Sequence, residues 1–162
     1  MRRALVTGGS GGIGAAICRR LSADGCYVYV HAHRNLAKAT ALAVEISGTA
    51  GGAEAIAFDV TDAENSREVL EALIAESPID ILINNAGIHD DAIFPGMSAR
   101  QWHQVLDVAL NGFFNVTQPL TMPMIHNRWG RIVNVTSIAG LTGNRGQVNY
   151  AAAKGGLHAA TK

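Results

Sequence analysis

Apolar positions along the chain fall into two alternating regimes: short unbroken runs, and longer stretches where they recur every third or fourth residue. The runs read as buried strands and the periodic stretches as helices packed by one face. RALVT (residues 3–7) predicts the first strand, and 12–24 a helix with Ile13, Ala16, Ile17 and Leu21 on one side. The β-branched and aromatic CYVYVHA (26–32) predicts a second strand. Residues 35–47 are helical and lead into the turn-rich SGTAGG (47–52). AEAIAFDV (53–60) predicts a third strand, and Asp62 the N-cap of a helix over 63–76 that stops before Pro78. IDILINNAG (79–87) predicts a fourth strand running into a loop. Residues 98–127 carry a long helical pattern, with Ser98 as N-cap candidate; Pro119 and Pro123 inside it predict a kink or break. GRIVNVTS (130–137) predicts a fifth strand, and a last helix begins near Asn149.

Strands separated by helices of this length imply βαβ units, right-handed crossovers and an α/β, doubly wound parallel sheet. No repeat, low-complexity tract or linker divides the 162 residues, so one domain is expected over 1–162. The last helix is still in progress at HAATK, with neither cap nor glycine stop. A sheet ending on its fifth strand leaves that edge poorly covered. The expectation is a chain truncated after the start of the helix that follows the fifth strand.

Such a sheet binds ligands at the carboxyl ends of its strands. TGGSGGIG, residues 7–14, sits at one such end, between the first strand and first helix. Gly9, Gly11 and Gly14 fit G-x-G-x-x-G, the Rossmann-type loop whose backbone approaches a pyrophosphate at a helix N-terminus. A tight strand-to-helix turn needs glycines too, but the strand–loop–helix context favours a dinucleotide. A P-loop is excluded because no Lys-Ser/Thr pair follows Gly14. An NAD site places an acid at the end of the second strand to hold the ribose hydroxyls. This stretch instead reads His31, Ala32, His33, Arg34, Asn35. Arg34 can pair with a 2′-phosphate, or it is an ordinary solvated helix-start residue; NADPH is favoured over NADH.

Composition narrows the partners. Lys plus Arg and Asp plus Glu number 13 each, a formal net charge of zero, which argues against nucleic acid or an anionic membrane as the main partner. The histidines never show metal-ligand spacing, so no metal site is expected and they are read as solvated or hydrogen-bonded. Cys18 and Cys26 form no C-x-x-C and no disulfide framework, which fits a reducing compartment. The apolar run of MRRALVTGG is too short for a signal segment, and no stretch is long enough to span a bilayer. A cytoplasmic protein is expected.

Tyr150 and Lys154 stand one helical turn apart in NYAAAK. A phenol is a poor acid near neutral pH unless a cation stabilises its phenolate. Ser137 ends the fifth strand at the same sheet edge, where its hydroxyl can polarise a carbonyl. Together with a dinucleotide loop, these three residues suggest carbonyl reduction.

Thr7, Gly8, Gly12 and Gly14 match T-G-x-x-x-G-x-G; NNAG (84–87), Ser137 and Tyr150-x-x-x-Lys154 follow in order. With these motifs the whole chain resembles the short-chain dehydrogenase/reductase family. NNAGIHDD, GRIVNVTS and GNRGQVNYAAAKGG further resemble its 3-oxoacyl-acyl-carrier-protein reductase branch. The resemblance implies Tyr150 as general acid, Lys154 holding the nicotinamide ribose and stabilising the phenolate, and Ser137 orienting the carbonyl. It implies cofactor contacts from Gly8, Ser10, Gly11, Gly12, Ile13 and Gly14, and from Asp59 and Val60 at the adenine. Asn85, Ala86 and Gly87 match the segment beside the cofactor ribose, and Arg128 a position that docks the acidic carrier protein. A homodimer or homotetramer pairing through 98–127 and the last helix is also implied.

Three departures stand out. The family's long helix reads V-N-L-x-G where this chain has VALNG, so Ala109 takes the place of an Asn that completes a proton relay. Asn111 lies about 200° further round a helix and cannot stand in; either a water chain bypasses the gap or turnover is impaired. Gly11 replaces a phosphate-binding Arg or Lys. The strands and substrate-covering segment that follow in the family are absent, so the acyl group is not legible. The implied reaction is NADPH-dependent reduction of a 3-oxoacyl thioester on acyl carrier protein, in fatty-acid or polyketide-type synthesis. The alternatives are a relative acting on a free alcohol, sugar or steroid, and a cofactor-binding subunit with little turnover. A sugar-nucleotide epimerase shares a glycine register (Gly8, Gly11, Gly14), but NNAG and GNRGQVNY do not suit it.

Overall fold

The computed structural model describes residues 1–48 and 51–162. Five strands form one parallel sheet: β1 (Arg3–Val6), β2 (Tyr27–Ala32), β3 (Ala53–Ala57), β4 (Ile81–Asn84) and β5 (Arg131–Asn134), in the order β3-β2-β1-β4-β5. The helices are α1 (Gly12–Ala23), α2 (Leu36–Ser47), α3 (Ala63–Glu76), α4 (Ala99–Leu106), α5 (Gly112–His126), α6 (Ala139–Thr142) and α7 (Val148–Ala160). This is the expected Rossmann-type α/β fold. The turn expected at SGTAGG falls partly on residues 49 and 50, outside the described residues.

Alternation along the strands splits the core in two. Ala4, Val6, Val28 and Val30 pack one face against Cys18, Leu42 and Ile46 of α1 and α2. Leu5, Tyr29 and Leu82 pack the other against Leu70 of α3 and Val116 and Leu120 of α5. Each fully buried Val or Leu side chain among them contributes about 1.5–3 kcal/mol. β3 and β5 are the edge strands, and Ile132 and Val133 of β5 remain 36% and 50% exposed.

The helix ends follow the local chemistry. Asn35 and Asp62 accept the Lys38 and Asn65 N–H groups at 3.0 Å each. Ser98 and Gln101 form a capping box. Of the kink or break expected at Pro119 and Pro123, no break occurs: α5 runs through both as one helix. Each proline removes an N–H and crowds a carbonyl, but Val116, Leu120 and Met124 anchor the same helix in the core. The irregularity falls earlier, in a wide π-helical turn over Asp107–Asn111. Ala109 is buried, whereas Asn111 points to solvent and donates to the Asp107 carboxylate at 2.8 Å.

Candidate active site

The strand order reverses between β1 and β4, and loops leaving the carboxyl ends there diverge to leave a crevice. Those loops are TGGSGGIG and NNAG. The Thr7 hydroxyl ties them, accepting the N–H groups of Asn85 and Ala86 at 3.0 Å each and donating to the Ile83 carbonyl at 3.3 Å. The Asn85 amide donates back to the carbonyls of Thr7 and Gly8 at 2.9 and 3.1 Å. Gly8 takes a left-handed φ of +62°, and a Cβ on Gly14 would lie 2.3 Å from the Gly8 carbonyl oxygen.

A cavity of about 700 Å³ opens over this junction. Gly8, Ser10, Gly11, Gly12, Ile13 and Gly14 line it from the glycine loop, and Asn85, Ala86 and Gly87 from the loop after β4. Val135 and Thr136 line it from the end of β5, and Tyr150 and Lys154 from α7. No side chain caps α1 and its first turn holds no acid. The first-turn N–H groups and the positive end of the helix dipole are thus offered to an anion in the cavity.

Lys154 is 4% exposed; its Nζ donates to the Val135 carbonyl at 2.8 Å and lies 5.8 Å from the centre of the Tyr150 ring. Burial pushes its ammonium below the ordinary lysine range. Asn149, fully buried, donates its amide to the carbonyls of Asp90 and Gln101 at 3.0 and 2.9 Å and accepts the Tyr150 N–H at 2.8 Å. The start of α7 is thereby fixed against the loop after β4 and against α4.

Other expected site residues lie elsewhere. Ser137 follows the cavity-lining Val135 and Thr136, but its own hydroxyl accepts the Ala139 N–H at 3.2 Å at the entry to α6. Arg34 and Asp59 line a second pocket of about 390 Å³, which shares His33 and Ile88 with the first. Burial works against the Asp59 carboxylate, yet bonds from the Thr61 N–H (2.9 Å) and hydroxyl (2.8 Å) and the nearby His33 and Arg34 hold it below its usual range. Val60 is buried beside Gly112 and borders a cavity of about 10 Å³ that Ala109 also lines. Arg128 precedes the amino end of β5, whereas the cavity lies at the strands' carboxyl ends. Among the described residues, no group of three His, Cys, Asp or Glu could hold a metal ion, and no helix is long and apolar enough to cross a membrane.

Sequence reading missed the roles of Thr7, His33 and Asn149. Thr7 and Asn149 sit inside quoted motifs, but most of their partners are backbone groups distant in sequence. His31 is 2% exposed with both ring nitrogens bonded: Nδ1 accepts the Gly8 N–H at 3.0 Å and Nε2 donates to the Phe58 carbonyl at 2.9 Å. Burial pushes this imidazole from 6.5 down to about 4. The unfolded chain takes up its proton near 6.5 and the folded protein only near 4. Stability is therefore complete above about pH 6.5 and falls as pH drops towards 4, by up to about 3 kcal/mol from this group. Urea unfolding at pH 7 and pH 5 should show that loss, and a His31→Gln variant should show less of it; an equal loss in both would assign it to other groups.

The family profile for short chain dehydrogenase matches residues 2–162. Nodulation protein G of Azospirillum brasilense is 41% identical over 167 residues, which cover 98% of this chain and 65% of that protein. Acetoacetyl-CoA reductase of Allochromatium vinosum is 42% identical, with 99% and 66% covered. A 3-oxoacyl-[acyl-carrier-protein] reductase of Aggregatibacter actinomycetemcomitans is 41% identical, with 98% and 66% covered. The chain thus spans just under two thirds of the length of these relatives.

Proposed function

The chain belongs to the short-chain dehydrogenase family, and from that footing we propose that the protein reduces a 3-oxoacyl thioester to its 3-hydroxyacyl form with NADPH. Acyl carrier protein is the carrier in this reading, and fatty-acid or polyketide-type synthesis the setting. The observation that carries it is the single 700 Å³ cavity lined both by the glycine loop and by Tyr150 and Lys154. A second support is that two of the relatives are named as reductases of β-keto thioesters.

The residues fit a nicotinamide dinucleotide. Gly14 is bare where a Cβ would collide with the Gly8 carbonyl and the Asn85 amide that shape the loop, and the uncapped α1 terminus suits a pyrophosphate. The second pocket, with Arg34 and Asp59, suits the adenosine end, Arg34 supplying a cation for a 2′-phosphate. When bound, the cofactor supplies a hydride to the substrate carbonyl carbon. Tyr150 donates its hydroxyl proton to the carbonyl oxygen, and the Lys154 ammonium stabilises the phenolate left behind. Ser137 orients the carbonyl once its hydroxyl turns away from the Ala139 N–H. A homodimer or homotetramer is part of this reading, supported by Phe114, Met122 and Ile125, exposed by 63%, 52% and 57% on one face of α5.

The test is oxidation of NADPH by acetoacetyl-CoA with full-length protein, repeated with NADH. An arginine–phosphate contact is worth about 1.5–3 kcal/mol, so kcat/KM should favour NADPH by about tenfold or more. Arg34→Ala should narrow that gap, and equal use of both cofactors by wild type would overturn the NADPH assignment. The buried Ala109, beside a cavity large enough for one water at most, favours a second reading as a cofactor-binding subunit. Tight cofactor binding without turnover on any β-keto thioester would select it.

A further inference from the structure

We infer that His31 is a positioning residue for the dinucleotide, its ring clamping the Gly8 peptide of the glycine loop to Phe58 at the end of β3. The inference rests on the cofactor reading above.

VYVHA is an apolar run with one imidazole in it, and alternation puts His31 on the Tyr29 face of the sheet. Burying an imidazole there costs free energy unless both nitrogens find partners. They do: Nδ1 takes the Gly8 N–H and Nε2 gives its proton to the Phe58 carbonyl, with the two rings 4.2 Å apart. The partners fix the neutral, Nε2-protonated form.

Each partner belongs to a different part of the cofactor site. Gly8 is the left-handed turn of the loop lining the large cavity. Its carbonyl is already held by the Gly11 N–H at 3.0 Å and the Asn85 amide at 3.1 Å. His31 satisfies the other side of that residue, its part-buried N–H. Phe58 directly precedes Asp59, which lines the second pocket. One ring therefore sets the spacing between the loop for the pyrophosphate and the segment for the adenosine.

The two nitrogens can be separated by substitution. Asn carries its Oδ1 where histidine has Nδ1, so His31→Asn keeps an acceptor for the Gly8 N–H and loses the Phe58 contact. Gln carries a donor near the Nε2 position, so His31→Gln does the reverse. Both lose the ring, so melting temperatures should fall together, and only a positioning role separates the variants. In full-length protein, His31→Gln should raise the NADPH Kd by about tenfold, with kcat at saturating NADPH nearly unchanged. His31→Asn, which keeps the loop contact and frees only the adenosine segment, should raise the Kd by less. Exchange of the Gly8 amide with solvent reads the contact without ligand, slow in wild type and His31→Asn and fast in His31→Gln. Equal Kd values for the two variants, or equal Gly8 exchange, would overturn the inference. If wild type binds no dinucleotide but the exchange asymmetry holds, the functional reading fails and the clamp stands. Should the variants not fold, ring ¹⁵N shifts of wild type decide: a proton on Nδ1 overturns the clamp.

Discussion

Replacing Tyr150 by Phe is expected to lower kcat for β-keto thioester reduction by about 10²–10⁴-fold, the range that a positioned general acid supplies. NADPH affinity should change little. The substitution removes one oxygen and leaves what holds the site together. The ring packs against the Val105, Ala109 and Ala153 cluster, and Phe fills the same space. The Tyr150 N–H is accepted by Asn149, and Lys154 is anchored on the Val135 carbonyl, so neither depends on the phenol. Steady-state assays with a parallel NADPH titration check the split. A variant keeping more than about a tenth of wild-type kcat would remove Tyr150 as the proton donor, since even a weak general acid contributes more. A wild type with no turnover but good NADPH binding would instead point to the subunit reading and to Ala109.

Sequence legibility followed the range of the interactions involved. The strands were readable because a parallel sheet covered on both faces requires unbroken apolar runs such as RALV and YVYVHA. Asp62 and Ser98 were readable as caps because their bonds reach only three residues along. Tyr150 and Lys154 were readable as a pair because helical spacing fixes neighbours. Whatever depends on tertiary contact was hidden. Pro119 and Pro123 spoke for a kink or break, and core packing of their neighbours keeps α5 one unbroken helix through them. The wide turn before α5 ends where Gly112 packs closely on Val60, 52 positions away in the chain. Ser137 and Arg34 follow strands at the carboxyl edge, yet neither lines the main cavity, because the course of a loop after a strand is set by its tertiary bonds. His31 showed the same limit: its two partners lie at the ends of other strands, and alone it looked like any hydrogen-bonded histidine.

Gly14→Ala should be the most damaging small change in the glycine loop. An added Cβ would lie 2.3 Å from the Gly8 carbonyl oxygen, 2.8 Å from the Asn85 amide nitrogen and 2.8 Å from the Gly9 Cα. Two of these neighbours are backbone and the third is held by bonds to Thr7 and Gly8, so none can swing aside. Alanine's better helix propensity returns about 1 kcal/mol. Overpacking a tight site costs about 1–3 kcal/mol and sometimes more. The strain must be taken up by moving the turn that presents the loop to the cavity, so the loss should appear in NADPH binding as a Kd about 10–100-fold higher. Gly12→Ala separates crowding from the mere addition of a methyl group: beyond its own turn of helix and chain neighbours, no atom lies within 4 Å of its Cβ position. That variant should melt with wild type, whereas Gly14→Ala melts lower. Unchanged NADPH affinity and melting in Gly14→Ala would mean that the Gly8–Gly14 contact is looser in solution, and that the loop binds no pyrophosphate in this conformation.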